Sequence, residues 1–144
     1  MRSRSIGLLA LVALTSVAAA PLVRANMWMG TIAGKDGSAI TGSGQMNPGT
    51  DAATSVVDVT LKGDAAGSVR PWHIHIGSCT KPGGVFGGGR SYTPITIDAS
   101  GNGASKATLA VALPDTGSYY VNIHDSAANM AKTVACGDLS FHKM

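Results

Sequence analysis

The sequence predicts an all-β domain, a sandwich or flattened barrel of about seven or eight antiparallel strands. Three observations carry that expectation. Apolar residues recur at every second position, turn-forming clusters fall between those runs, and the 144 residues include 19 Gly and no Glu. Period two marks a strand with one buried face. Gly is costly and Glu favourable in helices, so this composition argues against a helix bundle.

In chain order, Trp28 to Ala33 and Ile40 to Met46 read as strands separated by Lys35-Asp36-Gly37. After Asn47-Pro48-Gly49, Val57, Val59 and Leu61 alternate with Val56, Asp58 and Thr60. Pro71 to Ile76 follows the turn residues Asp64 to Gly67, and Tyr92 to Ile97 follows a Gly-rich stretch, Gly77 to Ser91. That stretch lacks the Gly-Lys-Ser/Thr ending of a phosphate loop and is expected to be an irregular, mobile surface loop. Beyond Ser100-Gly101-Asn102-Gly103, Leu109, Val111 and Leu113 alternate with Thr108, Ala110 and Ala112. Leu113-Pro114-Asp115-Thr116-Gly117 then leads to Ser118 to His124, and a short piece near Leu139 completes the set. Gly, Pro, Asn and Asp dominate these breaks because each supplies a backbone conformation or local hydrogen bond that turns require. No helix is needed, a single turn at Ser126 to Met130 apart.

Arg2 and Arg4, the apolar run Ile6 to Ala20 and the segment Val23-Arg24-Ala25 have the order of a signal peptide. The expected leader is 1–25, with Ala18-Ala19-Ala20 as an alternative cut, and the expected domain is 26–144. Its setting is then periplasmic or secreted. The apolar run is shorter than the roughly 20 residues of a membrane-spanning helix, and no later stretch reaches that length, so no membrane span is expected. The eleven Lys and Arg include Arg2, Arg4 and Arg24, so beyond the leader eight of them face the eight Asp. A body without net charge argues against nucleic acid, whose phosphates call for a clustered positive surface.

Two cysteines, Cys79 and Cys136, remain. In an oxidising compartment an even pair reads as a disulfide before it reads as a metal or catalytic pair, with two separate buried thiols as the alternative.

The sharpest local feature is Trp72-His73-Ile74-His75-Ile76. In a strand His73 and His75 project from one face while Ile74 and Ile76 point into the core. Tyr119-Tyr120-Val121-Asn122-Ile123-His124-Asp125 repeats the logic, with Tyr120, Asn122 and His124 sharing a face. If the two strands are neighbours, three imidazoles converge, a donor set suited to copper or zinc. Without metal, the same histidines are polar surface. Ser78, Ser126 and Ser140 lie in no nucleophile elbow. Met27, Met29, Met46, Met130 and Met144 add soft thioethers, which favour copper(I) when they are not filling gaps in the core.

His73-Ile74-His75, then Gly77 and Cys79, His124 on a later strand, and Ala135-Cys136-Gly137-Asp138-Leu139 resemble the copper/zinc superoxide dismutase family. The resemblance covers about Trp72 to Leu139. It implies a Greek-key β-sandwich, copper on His73, His75 and His124, and a Cys79–Cys136 disulfide. The departures are equally definite. No histidine lies between Cys79 and His124, so the family's bridging imidazole and zinc-binding histidines are absent, and no zinc site is expected. The arginine that guides superoxide in that family is replaced by Thr133, with Lys132 beside it on the opposite face of an extended chain. Tyr120-Val121-Asn122-Ile123-His124 followed by Ala127-Ala128-Asn129 is also similar to the chordin-type (CHRD) domain, a β-rich extracytoplasmic module.

The expectation is a secreted or periplasmic copper-binding, dismutase-like protein with one copper per chain, for which superoxide is a candidate substrate and any dismutase activity residual. The alternatives are a non-enzymatic copper carrier and a metal-free CHRD-like binding module.

Overall fold

A computed structural model of the chain describes residues 25–144, so the expected leader falls outside the described residues apart from Ala25. The described chain is all-β and antiparallel, as the alternation requires. Its strands are β1 Met27–Gly34, β2 Thr41–Pro48, β3 Ser55–Lys62, β4 Val69–Arg70, β5 Trp72–Ser78, β6 Lys81–Val85, β7 Ile95–Thr96, β8 Gly103–Leu109, β9 Tyr119–Ser126 and β10 Asn129–His142. Eight of them form one curled sheet in the order β6-β5-β9-β10-β1-β2-β3-β8, and β4 and β7 pair separately. Consecutive hairpins build β1-β2-β3, after which the chain crosses to β5, returns to β8 beside β3, and crosses again to β9 between β5 and β10.

The turn chemistry acts where it was expected. Asp36 and Gly37 both have positive φ, 52° and 85°, the backbone of the two-residue turn whose twist suits a hairpin. Inside the curl lie Trp28, Ile32, Met46, Val57, Val59, Leu61, Trp72, Ile74, Leu109, Val121 and Ile123, all buried. Two strands separate β2 from β9 in the sheet, yet Gly44 of β2 packs directly on the Val121 side chain of β9. The sheet therefore folds over far enough for its two halves to touch. Trp28 reinforces this closure, its ring edge-on to Tyr119 at 5.0 Å and its indole N–H donating to the Pro114 carbonyl at 2.7 Å.

The two edges, β6 and β8, are joined by the segment between Phe86 and Thr93 and not by a hydrogen-bonded ladder. Phe86 and Tyr92 are buried, Tyr92 Oη donates to the Phe86 carbonyl at 2.7 Å, and Gly87 lies against Leu109. The Thr93 carbonyl accepts from Trp72 Nε1 at 2.9 Å and from Ser105 Oγ at 2.7 Å, linking β5 to β8.

Six expectations need correction. The Gly-rich stretch 77–91 is not a loose loop throughout: it holds β6, paired with β5, and one 3-10 turn at Gly89–Ser91. Glycine permits this because its missing side chain allows close backbone approach. The strand expected to run through Val111 and Leu113 ends at Leu109, and those two residues pack against the core from the following loop. Tyr92 to Ile97 contributes only the two residues of β7, since Tyr92 is committed to bridging the edges. Ile76 shares the side of Ile74 but is 51% exposed, because β5 runs past the rim of the core. The short piece near Leu139 is the 14-residue β10, whose first half is held by pairing with β9 despite having no buried side chain before Val134. No helical turn forms at Ser126 to Met130, where Ala127 and Ala128 make the β9–β10 turn.

Cys79, in the β5–β6 turn, and Cys136, in β10, form a disulfide with Cα atoms 6.0 Å apart. The bridge spans β9, which lies between their strands. Asp138 Oδ1 accepts from the Cys79 amide at 2.7 Å, a second tie at the same place.

Candidate metal centre

β5 and β9 are neighbours, with Trp72 opposite Ile123, His73 opposite Asn122 and His75 opposite Tyr120. The His124 amide donates to the Pro71 carbonyl at 2.9 Å, which places His124 one step beyond this ladder and diagonal to His73. Alternation sends Trp72, Ile74, Val121 and Ile123 into the core and all three histidines to the other face of the sheet. The convergence expected from sequence is therefore present: one ring nitrogen from each of His73, His75 and His124 lies within 4.8 Å of the others.

The closest approach is His73 Nδ1 to His124 Nε2, 3.1 Å. His75 is oriented differently. Its Nδ1 donates to the Gly83 carbonyl at 2.9 Å, which in the neutral ring makes Nε2 the nitrogen with the free lone pair. That Nε2 is buried and has no hydrogen-bond partner. A buried lone pair without a partner is costly unless something else satisfies it, and a metal ion is one group that could do so. Ligands each about 2.1 Å from one ion lie at most about 4.2 Å apart, so holding one ion would require a small inward rotation of the rings. A carbonyl holding the second nitrogen of a ligand histidine is the usual means of fixing its tautomer.

Burial sets the protonation of the site. It pushes His73 down to about 4, with His124 and then His75 adding to the effect. His124 is also lowered, again by burial first, against the Met130 backbone and with His75 reinforcing. At neutral pH both rings are uncharged and offer lone pairs, as metal ligation requires.

Aromatic rings enclose the histidines. Tyr92 stands edge-on to His73 with centroids 5.1 Å apart, and Tyr120 stacks on His75 at 5.2 Å. The 3-10 turn covers the same side, with Gly89 close to His73 Nε2. Asn122 is buried beside His73, and its Oδ1 has no partner.

Arg70 holds the adjoining backbone together. Its Nε and Nη2 donate to the two oxygens of Asp64 at 2.7 and 2.8 Å, and its Nη1 donates to the Asp125 carbonyl at 2.6 Å. The approach to β5 is thereby fastened to the residue after His124. Lys132 Nζ is 3.6 Å from Asp125 Oδ1. Thr133, standing where the dismutase resemblance expects arginine, pairs with His124 across the β9–β10 ladder. Arg70 and Lys132 are thus each engaged with an aspartate.

Sequence spacing found the three clustered histidines, but it missed the Gly83 carbonyl, Tyr92 and Arg70. Glycine and arginine carry no signal of such roles at those positions, since each acts through a fold-dependent contact. Met46 is fully buried in the core, and Met130 reaches His124 through its backbone. The surface depressions lined by Asp58 to Lys62 and Ala104 to Lys106 lie on β3 and β8, away from the histidines. In comparisons with known proteins, no family model matches the chain and no curated protein matches it significantly.

Proposed function

We propose that this chain is an extracytoplasmic copper-binding protein of dismutase type, holding one copper ion at His73, His75 and His124. The observation that carries the proposal is the buried, partnerless Nε2 of His75, aimed by the Gly83 carbonyl toward two neutral imidazoles. Three imidazoles without carboxylate or thiolate suit copper, and copper stands highest among the common divalent ions for a given nitrogen site. When bound, copper would supply alternate one-electron oxidation and reduction of superoxide. His73, His75 and His124 hold the ion, Tyr92 and Tyr120 limit water around the rings, and Gly83 fixes the tautomer of His75. The Cys79–Cys136 disulfide supports a periplasmic or secreted setting.

A second reading, a copper carrier without turnover, is favoured by one observation. Thr133 offers no charge opposite His124, and Lys132 is paired with Asp125, so neither position draws an anion to the site.

The test loads purified protein with copper and with zinc in separate samples, measuring bound metal per chain and superoxide turnover together. One copper per chain with fast turnover, both lost in His73→Ala and His124→Ala, supports the dismutase. Stoichiometric copper with negligible turnover supports the carrier. No copper bound at that site overturns both and leaves a metal-free, CHRD-like binding module.

A further inference from the structure

Far from the three-histidine group, a second set of metal-ligating side chains gathers at one corner of the sheet. β1 opens with Met27-Trp28-Met29, and β10 closes with Phe141-His142. These strands are antiparallel neighbours in which Met27 stands directly opposite His142, Trp28 opposite Phe141 and Met29 opposite Ser140. Trp28 and Phe141 pack on each other inward, ring centroids 5.2 Å apart. Alternation then puts Met27, Met29 and His142 together on the outer face.

The spacing fits a shared ligand. Directly opposite residues have Cβ atoms about 4.5–5.5 Å apart, and diagonal neighbours about 7–8 Å, within reach of long side chains. Met144 joins the same corner: its amide donates to Asn26 Oδ1 at 3.1 Å, which holds the chain end beside the start of β1. Core packing does not account for these thioethers. Met46 is fully buried and fills the interior, whereas Met29 is 38% and Met144 58% exposed. Three of the five methionines among the described residues stand at this corner, beside the one histidine outside the three-histidine group.

We propose that Met27, Met29 and His142 form a second metal site, specific for copper(I), with Met144 as an additional thioether ligand. Thioethers are soft, neutral donors that select copper(I) over copper(II) and zinc. None of the donor side chains is a carboxylate or a thiolate, so the donor set suits a monovalent soft cation. Nine residue steps along β10 lead from Thr133, opposite His124, to His142, about 30 Å along an extended strand. The corner site is therefore independent of the three histidines and does not rest on the function proposed for them. Its exposure suits exchange of copper(I) with a donor in solution.

The test titrates copper(I) anaerobically against a chromogenic copper(I) chelator, in His73→Ala/His124→Ala protein and in the same protein carrying Met27→Leu and Met29→Leu. One copper(I) should remain per chain in the first and bind more than about tenfold more weakly in the second. A second measurement uses the unaltered chain: the methyl resonances of Met27 and Met29 should shift on adding copper(I), and X-ray absorption should show sulfur around the metal. Equal affinity with and without the leucines, nitrogen-only coordination of every bound copper(I), or unmoved Met27 and Met29 methyl signals would each overturn the proposal.

Discussion

His75 Nδ1 sits 2.9 Å from the Gly83 carbonyl oxygen, so one residue of β6 decides which nitrogen of His75 is free. A side chain at Gly83 would collide with the Ile76 backbone, whereas one at Gly84 would meet nothing. We expect Gly83→Ala to push β6 from β5 and weaken copper binding by about 10- to 100-fold, the usual cost of losing a ligand's supporting contact. Gly84→Ala should leave affinity unchanged. A competition titration distinguishes them, and equal affinity in the two variants would remove the role given to Gly83.

Acid should destabilise the metal-free protein well above the carboxylate range. The folded-state value of His73 is about 4 against an ordinary 6.5, so between those values the unfolded chain binds a proton that the native state does not. Stability therefore falls as pH drops through that window, by on the order of 2 kcal/mol. His124, lowered for the same first reason, acts in the same direction. Asp64, held down chiefly by its hydrogen bonds with Arg70, contributes stability that is lost only below the ordinary 3.8. Urea midpoints measured from about pH 7.5 to about pH 4.5 check this, and a flat profile contradicts it.

Arg70 and Asp64 are largely shielded, their side chains 15% and 5% exposed. Removing one partner of such a pair strands the other's charge. Arg70→Ala is expected to cost about 3 kcal/mol, and Arg70→Lys about half as much because it keeps the charge but loses the fork of donors. Both should also weaken metal binding, since Arg70 ties the approach to β5 to the residue after His124. Denaturation together with copper competition tests the two effects; wild-type metal affinity in Arg70→Ala would confine the contact to stability.

The Cys79–Cys136 bridge closes a loop with a sequence separation of 57. Chain entropy assigns such a loop about 4 kcal/mol. Cys79→Ser/Cys136→Ser should therefore melt markedly lower than the native protein and, by loosening the β5–β6 turn, bind copper less tightly. Thermal melts with and without reductant give the first result, and identical melts would exclude a stabilising role.

The strand alternation in Val57 to Leu61, the turn at Asp36-Gly37 and the His73–His75 pair were all legible because each is a local property, fixed by backbone geometry over a few residues. The misreadings have one origin. Val111 and Leu113 keep period two after the strand has ended, β10 begins in Asn129 to Thr133 where no apolar alternation marks it, and β6 is made of residues that pair through backbone alone. In each case a neighbouring strand, not the segment's own pattern, decides what forms.

The sequence by itself determined the all-β class, the candidate ligands and the even cysteine pair, since these follow from residue type and spacing of two. Only the tertiary structure decided that β5 lies beside β9, that His124 stands diagonal to His73, and that Gly83, Arg70 and Tyr92 surround the three histidines. It also brought Met27 opposite His142, which are separated by nearly the whole domain. Strand order and register depend on how the sheet curls to bury Trp28, Trp72 and Val121 together, a balance of the whole core that no short stretch of sequence contains.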